Sequence, residues 1–153
     1  MYQGKVRVRA VGLLFEAEKI LLLRHEGLGS AGHLWSPPGG GVDFGCDAES
    51  TLRKEFAEET HLEITVRKFL FVNEHIDDRH HAIELFFEVE RVSGEAQLGH
   101  DPEVKQQILS EIAFLSWDEI RQMPPATVHS MFSRIAHLED MLKLRGYYKF
   151  AQD

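Results

Sequence analysis

The stretch Pro37-Pro38-Gly39-Gly40-Gly41-Val42-Asp43-Phe44-Gly45-Cys46-Asp47-Ala48-Glu49-Ser50-Thr51-Leu52-Arg53-Lys54-Glu55-Phe56-Ala57-Glu58-Glu59-Thr60-His61-Leu62 runs from a glycine turn into a segment of helical apolar spacing. Ala48, Leu52 and Phe56 recur every fourth residue, which predicts a helix over about 47 to 60. Glu55, Glu58 and Glu59 stand three and four positions apart, so the helix brings their carboxylates together on one surface. Like charges at that spacing cost about 0.2–0.5 kcal/mol per pair, and acids in the second half of a helix meet the negative end of its dipole. A bound hard cation reverses that cost. The plainer alternative is a solvated charged face, but Glu55 and Glu59 border the apolar stripe instead of opposing it.

The chain around this stretch is ordinary for one globular domain. It has 153 residues, 43% hydrophobic and 27% charged, enough for a single core spanning residues 1–153 and too few for two typical domains. The formal net charge of −8 argues against a nucleic-acid partner, whose phosphates attract clustered lysine and arginine. A small diphosphate compensated by divalent cations remains compatible with an acidic protein. No long apolar run marks a signal peptide or a membrane span, and one cysteine excludes an internal disulfide framework. The expected location is therefore the cytoplasm, with no membrane partner.

Apolar segments at about 5 to 15 and 19 to 24 read as a strand pair that ends at Arg24 and His25. A glycine-rich loop from 26 to 38 is interrupted by Leu34 and Trp35. Beyond the helix, residues 64 to 72 and 81 to 92 read as a hairpin, 94 to 102 as a loop, and 112 to 117 as a further strand. Residues 126 to 144 carry the spacing of a final amphipathic helix. The aromatic tail, 144 to 150, is expected to dock on this domain or on a second subunit, the latter giving a homodimer. These alternating elements make the fold class α/β or α+β. The cluster His75, Asp77, Asp78, His80 and His81 has zinc-ligand residue types but falls in a hairpin connection, where polar residues are expected in any case.

Taken together, the glycines and acids resemble the signature box of the Nudix hydrolases, enzymes that cleave nucleoside diphosphates linked to a further group. Gly40 takes the box's first place, Glu55, Glu58, Glu59 and Leu62 fall on their positions without a gap, and Phe56 stands at an aliphatic one. Three positions depart. Cys46 replaces a glutamate and Lys54 an arginine that commonly pair in the family, and His61 replaces a glycine at the helix end. Loss of both pair members reads as a compensated change, with Glu49 a candidate substitute partner. A histidine can adopt the left-handed conformation expected at position 61 at a cost of about 1 kcal/mol.

The resemblance implies an α/β/α sandwich with a mixed sheet and a loop-helix-loop metal and diphosphate site. It also implies Mg²⁺, with Mn²⁺ as a substitute, held by Glu55, Glu58, Glu59 and the backbone carbonyl of Gly39. Gly40 and Gly41 would let the backbone approach the diphosphate. Glu55 or Glu58 would be the catalytic base, or else an acid in or after the variable loop: Asp101, Glu103 or Glu111, each alternatively a solvated side chain. Arg24, at the end of an apolar strand, is placed to meet the substrate or lies exposed at the surface. Trp35 and Phe44 flank the glycine turn and either stack on a nucleobase or pack. The implied activity is Mg²⁺-dependent pyrophosphohydrolysis of a small nucleotide derivative. The alternative drawn from Cys46, Lys54 and His61 is a nucleotide sensor or interaction domain on the same fold.

Overall fold

The computed structural model of the protein describes residues 4–100 and 108–150. Its sheet contains β1 (Val6–Glu16), β2 (Lys19–Glu26), β3 (His33–Ser36), β4 (Gly39–Gly41), β5 (Glu63–Ile76), β6 (His81–Ser93), β7 (Ile108–Ser116) and β8 (Gly146–Tyr148). The strand order is β3-β2-β1-β6-β5-β8, with β4 pairing β1 and β7 pairing β2. β1 runs parallel to β6, while β5 and β6 form the antiparallel hairpin expected from the sequence.

β1 and β2 are joined by Ala17 and Glu18, both at positive φ (51° and 62°), the geometry that matches a two-residue turn to the twist of the strands. The pair is in register only at Phe15↔Ile20 and Glu16↔Lys19. Further along, Arg9, Ala10 and Val11 of β1 pair instead with Gly41, Gly40 and Gly39 of β4. The sheet therefore forks, and the glycine turn lies in the fork, secured by Gly12 N–H to Pro38 O (3.0 Å) and Val42 N–H to Val8 O (2.8 Å).

Side-chain alternation divides the core between the two faces. On one face α1 (Ala48–Thr60) packs Leu52 and Phe56 against Ala10, Leu14, Leu21 and Val89. Leu52 and Phe56 are fully buried, each contributing about 1.5–3 kcal/mol. The other face carries Val11, Leu13, Ile20, Leu22 and Phe86, covered by the C-terminal third of the chain.

That covering layer differs from the helix expected over 126–144. It consists of three 3₁₀ turns, Pro125–Thr127, Ser130–Arg134 and Leu138–Lys143, separated by extended residues such as Val128 and Ile135. Polar side chains capture the backbone groups that a continuous helix would use. Nδ1 of His129 accepts Met131 N–H at 3.0 Å, and Oδ2 of Asp140 accepts the N–H groups of Ala136 (3.2 Å) and His137 (3.0 Å). Val128 bridges to Trp35 as a strand residue. Met131, Phe132, Leu138 and Met141 still reach the core, so the apolar spacing is satisfied without an α-helix. The five-residue helix α2 (Trp117–Arg121), opened by a capping box between Ser116 and Glu119, precedes this layer.

The aromatic tail docks on its own domain. β8 pairs parallel to β5, and Phe150 is buried with its ring stacked on Tyr148 at 4.9 Å between centroids. A buried polar cluster fixes it. Phe150 N–H donates to Oδ1 of Asn73 (2.9 Å), whose Nδ2 donates to Oε1 of Glu84 (2.8 Å). His129 uses Nδ1 as an acceptor, so Nε2 carries its ring proton and donates to the same Glu84 oxygen at 2.9 Å. Arg9 approaches the other oxygen at 3.5 Å. Burial opposes ionisation of Glu84, but His129, Arg9 and Asn73 outweigh it and bring its pKa down to about 2.

Candidate active site

The glycine turn and α1 meet face to face. α1 begins after Gly45 (φ 87°) with Asp47 as N-cap, its Oδ1 accepting Ser50 N–H at 2.7 Å. Anchored by Leu52 and Phe56, the helix directs Glu55 and Glu59 inward, 3% and 1% exposed, with Glu58 half-buried beside them. Gly39 N–H donates to Oε1 of Glu59 at 3.2 Å. The Glu55 carboxylate fills the space above Gly40, where a Cβ would meet its oxygens at 2.5 and 2.8 Å. Gly40 is thus required by close approach, and the turn and the acids fit only as a pair.

Oε2 of Glu58 is buried and accepts no hydrogen bond among the described residues. A carboxylate oxygen held out of water without a donor is costly, and a cation is one ligand that removes the cost. Among the described residues no three His, Cys, Asp or Glu side chains are already drawn into a metal cage. The glutamates line up along the helix, and oxygen ligands from substrate or water would have to complete any cation's shell. Hard carboxylate donors, an orphan buried oxygen and a turn shaped around Glu55 together fit a hard divalent ion.

The end of α1 is closed by the loop that follows β6. Ala57 O accepts His61 N–H (3.3 Å), Glu58 O accepts His100 N–H (3.1 Å), Glu59 O accepts Gly99 N–H (2.8 Å) and Thr60 O accepts Gln97 N–H (2.9 Å). All four final carbonyls, which a helix ordinarily leaves unsatisfied, are therefore capped. His61 adopts φ 62°, ψ 20°, the left-handed conformation expected of the residue standing in place of glycine.

Other residues singled out from the sequence are placed less centrally. Nε of Arg24 donates to Oε2 of Glu26 at 2.6 Å, and its Nη1 stands 3.9 Å from Glu111, so the two residues expected in separate roles are neighbours across β2 and β7. Ser110 Oγ also donates to Glu26, and these contacts hold the Glu26 carboxyl below its usual range. Trp35 is buried in the core opposite α1, whereas Phe44 is fully exposed in the turn. Cys46, Glu49 and Lys54 are exposed. Asp101 and Glu103 lie outside the described residues. In the β5–β6 connection Asp77 organises the turn, accepting from the N–H groups of Arg79 (2.8 Å) and His80 (2.6 Å) and contacting His75 at 2.9 Å.

Three features escaped the sequence reading. Arg7 lays its guanidinium over Gly41, with Arg9 two residues on, which brings two cations to the glycine strand. The polar-apolar alternation of residues 5 to 9 contained that signal, but the pairing of β1 with β4 did not show in it. His25 is buried on β2 with no hydrogen-bond partner for Nε2 among the described residues, and burial, aided by Arg9, lowers its pKa to about 4. The third feature is the loop that caps α1.

The family model of the NUDIX domain matches residues 5–137. The chain belongs to the Nudix hydrolases, enzymes that act on phosphoric anhydride bonds. Solved structures of similar fold include an ADP-ribose pyrophosphatase from Streptococcus suis, 19% identical with a TM-score of 0.62 over 94% of this chain and 98% of that one. A UDP-X diphosphatase is 19% identical with a TM-score of 0.68, covering 95% of this chain and 68% of that one. A MutT NUDIX hydrolase from Burkholderia pseudomallei is 21% identical with a TM-score of 0.67, covering 88% and 98%. No curated protein matches the chain. Among the described residues no helix is long and apolar enough to cross a membrane.

Proposed function

We propose that the protein is a Mg²⁺-dependent pyrophosphohydrolase that cleaves the diphosphate of a small nucleotide derivative. The observation that carries this reading is the interlock of Gly39 and Gly40 with the carboxylates of Glu59 and Glu55. That interlock buries two acids directly against the glycine turn.

Glu55, Glu58, Glu59 and the carbonyl of Gly39 would hold the divalent ion. When bound, it would neutralise phosphate charge and make water acidic enough to attack. Gly39 N–H fixes Glu59 through Oε1. Glu58, whose Oε2 accepts no hydrogen bond among the described residues, is suited both to the ion and to receiving the proton of the attacking water; Glu55 is the second candidate base. That water forms a new P–O bond as the anhydride P–O bond breaks, and the leaving phosphate departs with the electron pair. Gly40 and Gly41 provide the close backbone approach, and Arg24, Trp35 and Phe44 remain candidate contacts for the rest of the substrate. Asp101, Glu103 and Glu111 remain candidate distal bases. We place this activity in a single domain working in the cytoplasm on a small molecule, with no nucleic-acid partner, and count a homodimer as compatible.

Binding without turnover is the second reading, favoured by Cys46 and Lys54 standing where the family commonly has an ion pair. Both are tested by incubating the protein with ADP-ribose, nucleotide sugars, nucleoside triphosphates and dinucleoside polyphosphates, each with Mg²⁺, Mn²⁺ or EDTA. Metal-dependent release of nucleotide or phosphate supports the enzyme and names its substrate class. Thermal stabilisation by one ligand without its cleavage supports the sensor.

A further inference from the structure

Glu59 is gripped at both ends. Its carboxylate takes Gly39 N–H from the glycine turn, and its backbone carbonyl takes Gly99 N–H from the loop beyond β6. Glu58 is held in the same way on its backbone side, through His100 N–H. We infer that residues 97–100 form a positioning strap for the carboxylates of α1, and that Gly99 is the residue on which it depends. The inference rests on the metal-binding reading above.

Two observations separate the strap from an incidental helix cap. The carbonyls bonded by Gly99 and His100 belong to Glu58 and Glu59, two of the three site acids, so any shift of the strap turns those residues against the glycine turn. The approach is also too close for any other residue at position 99. A Cβ there would fall on the carbonyl oxygen of Glu58, with the carbonyl carbons of Glu58 and Glu59 at 2.9 and 3.0 Å. Those atoms are backbone and cannot swing aside as a side-chain end could. The last turn of α1 has no basic residue to offset its carbonyls, so the strap's N–H groups are the donors that balance them.

The strap therefore acts on the metal through the acids. Supporting groups of this kind typically set metal affinity by about 10–100-fold.

The test compares wild type and Gly99→Ala by calorimetric titration with Mn²⁺ alone, in the absence of substrate. Gly99→Ala is expected to bind Mn²⁺ about tenfold more weakly, with an unchanged metal-free circular dichroism spectrum and with kcat recovered at excess metal. Unchanged affinity in Gly99→Ala, with wild type binding the ion, overturns the strap alone, whereas a wild type that binds no Mn²⁺ overturns the metal reading with it. Should Gly99→Ala fail to fold, hydrogen exchange of wild type decides: added Mg²⁺ must slow the Gly99 and His100 amides, and exchange indifferent to Mg²⁺ overturns the proposal.

Discussion

Oε1 of Glu59 and the backbone nitrogen of Gly39 lie 3.2 Å apart, twenty residues distant in sequence, and this bond ties the end of the carboxylate helix to the glycine turn. Gly40, the next residue, carries the Glu55 carboxylate directly above its Cα. Replacing Gly40 with Ala forces Glu55 or the turn to move. Overpacking of this kind costs about 1–3 kcal/mol, and a displacement near 1 Å at a reacting centre costs about 10²-fold in rate. Gly40→Ala should show both effects in a urea melt and in kcat, and a variant with wild-type turnover would mean that the interlock does not serve the chemistry.

His25 sets a pH dependence of stability. Its folded pKa, about 4, lies below the ordinary 6.5, so between those values the unfolded chain binds the extra proton and the native state does not. The native state is therefore most favoured above pH 6.5 and loses about 3 kcal/mol as the pH falls through 4. Denaturant melts from pH 7.5 to 4 should show this loss in wild type and a reduced slope in His25→Leu. Equal slopes would place the acid sensitivity elsewhere.

Glu84 works at lower pH. Its pKa is depressed to about 2 from 4.5, so its contribution is complete above 4.5 and disappears as the pH falls towards 2. Glu84→Ala leaves Asn73, His129 and Arg9 facing a missing acceptor, a loss of about 3–5 kcal/mol, whereas Glu84→Gln keeps one acceptor and should cost less. Chemical denaturation at pH 7 orders the two variants, and near-neutral values for both would show that the cluster is dispensable.

His61 holds a left-handed backbone that suits glycine better. His61→Gly should stabilise the protein by roughly 0.5–1 kcal/mol and leave turnover unchanged, since the residue closes the helix without bearing a site carboxylate. A destabilised His61→Gly would reveal a contact of the imidazole that outweighs the strain.

The glycine turn, the helix and its acids were legible because each depends on local spacing. Leu52 and Phe56 mark the buried stripe, and Glu55, Glu58 and Glu59 follow from the helical repeat. The last third was not legible. Val128, Met131, Phe132, Leu138 and Met141 have a spacing that fits a helix, and only the hydrogen bonds that the side chains of His129 and Asp140 make in the folded chain show that the nearby backbone amides are engaged elsewhere. Arg7, Arg9 and Gly99 were missed for a related reason. Their proximity to the site comes from the β1–β4 pairing and from loop packing, which no short window of sequence contains.

The most direct test of the central claim is steady-state hydrolysis of the best panel substrate by wild type and Glu58→Gln across a Mg²⁺ titration. Glutamine keeps the size of the side chain and removes its charge and basicity. If Glu58 holds the ion and takes the proton, kcat should fall by about 10²–10⁴-fold at every Mg²⁺ concentration while the thermal unfolding midpoint is retained. Turnover within about twofold of wild type, below even the smallest effect of a lost acid-base group, would contradict the assignment of the chemistry to this helix.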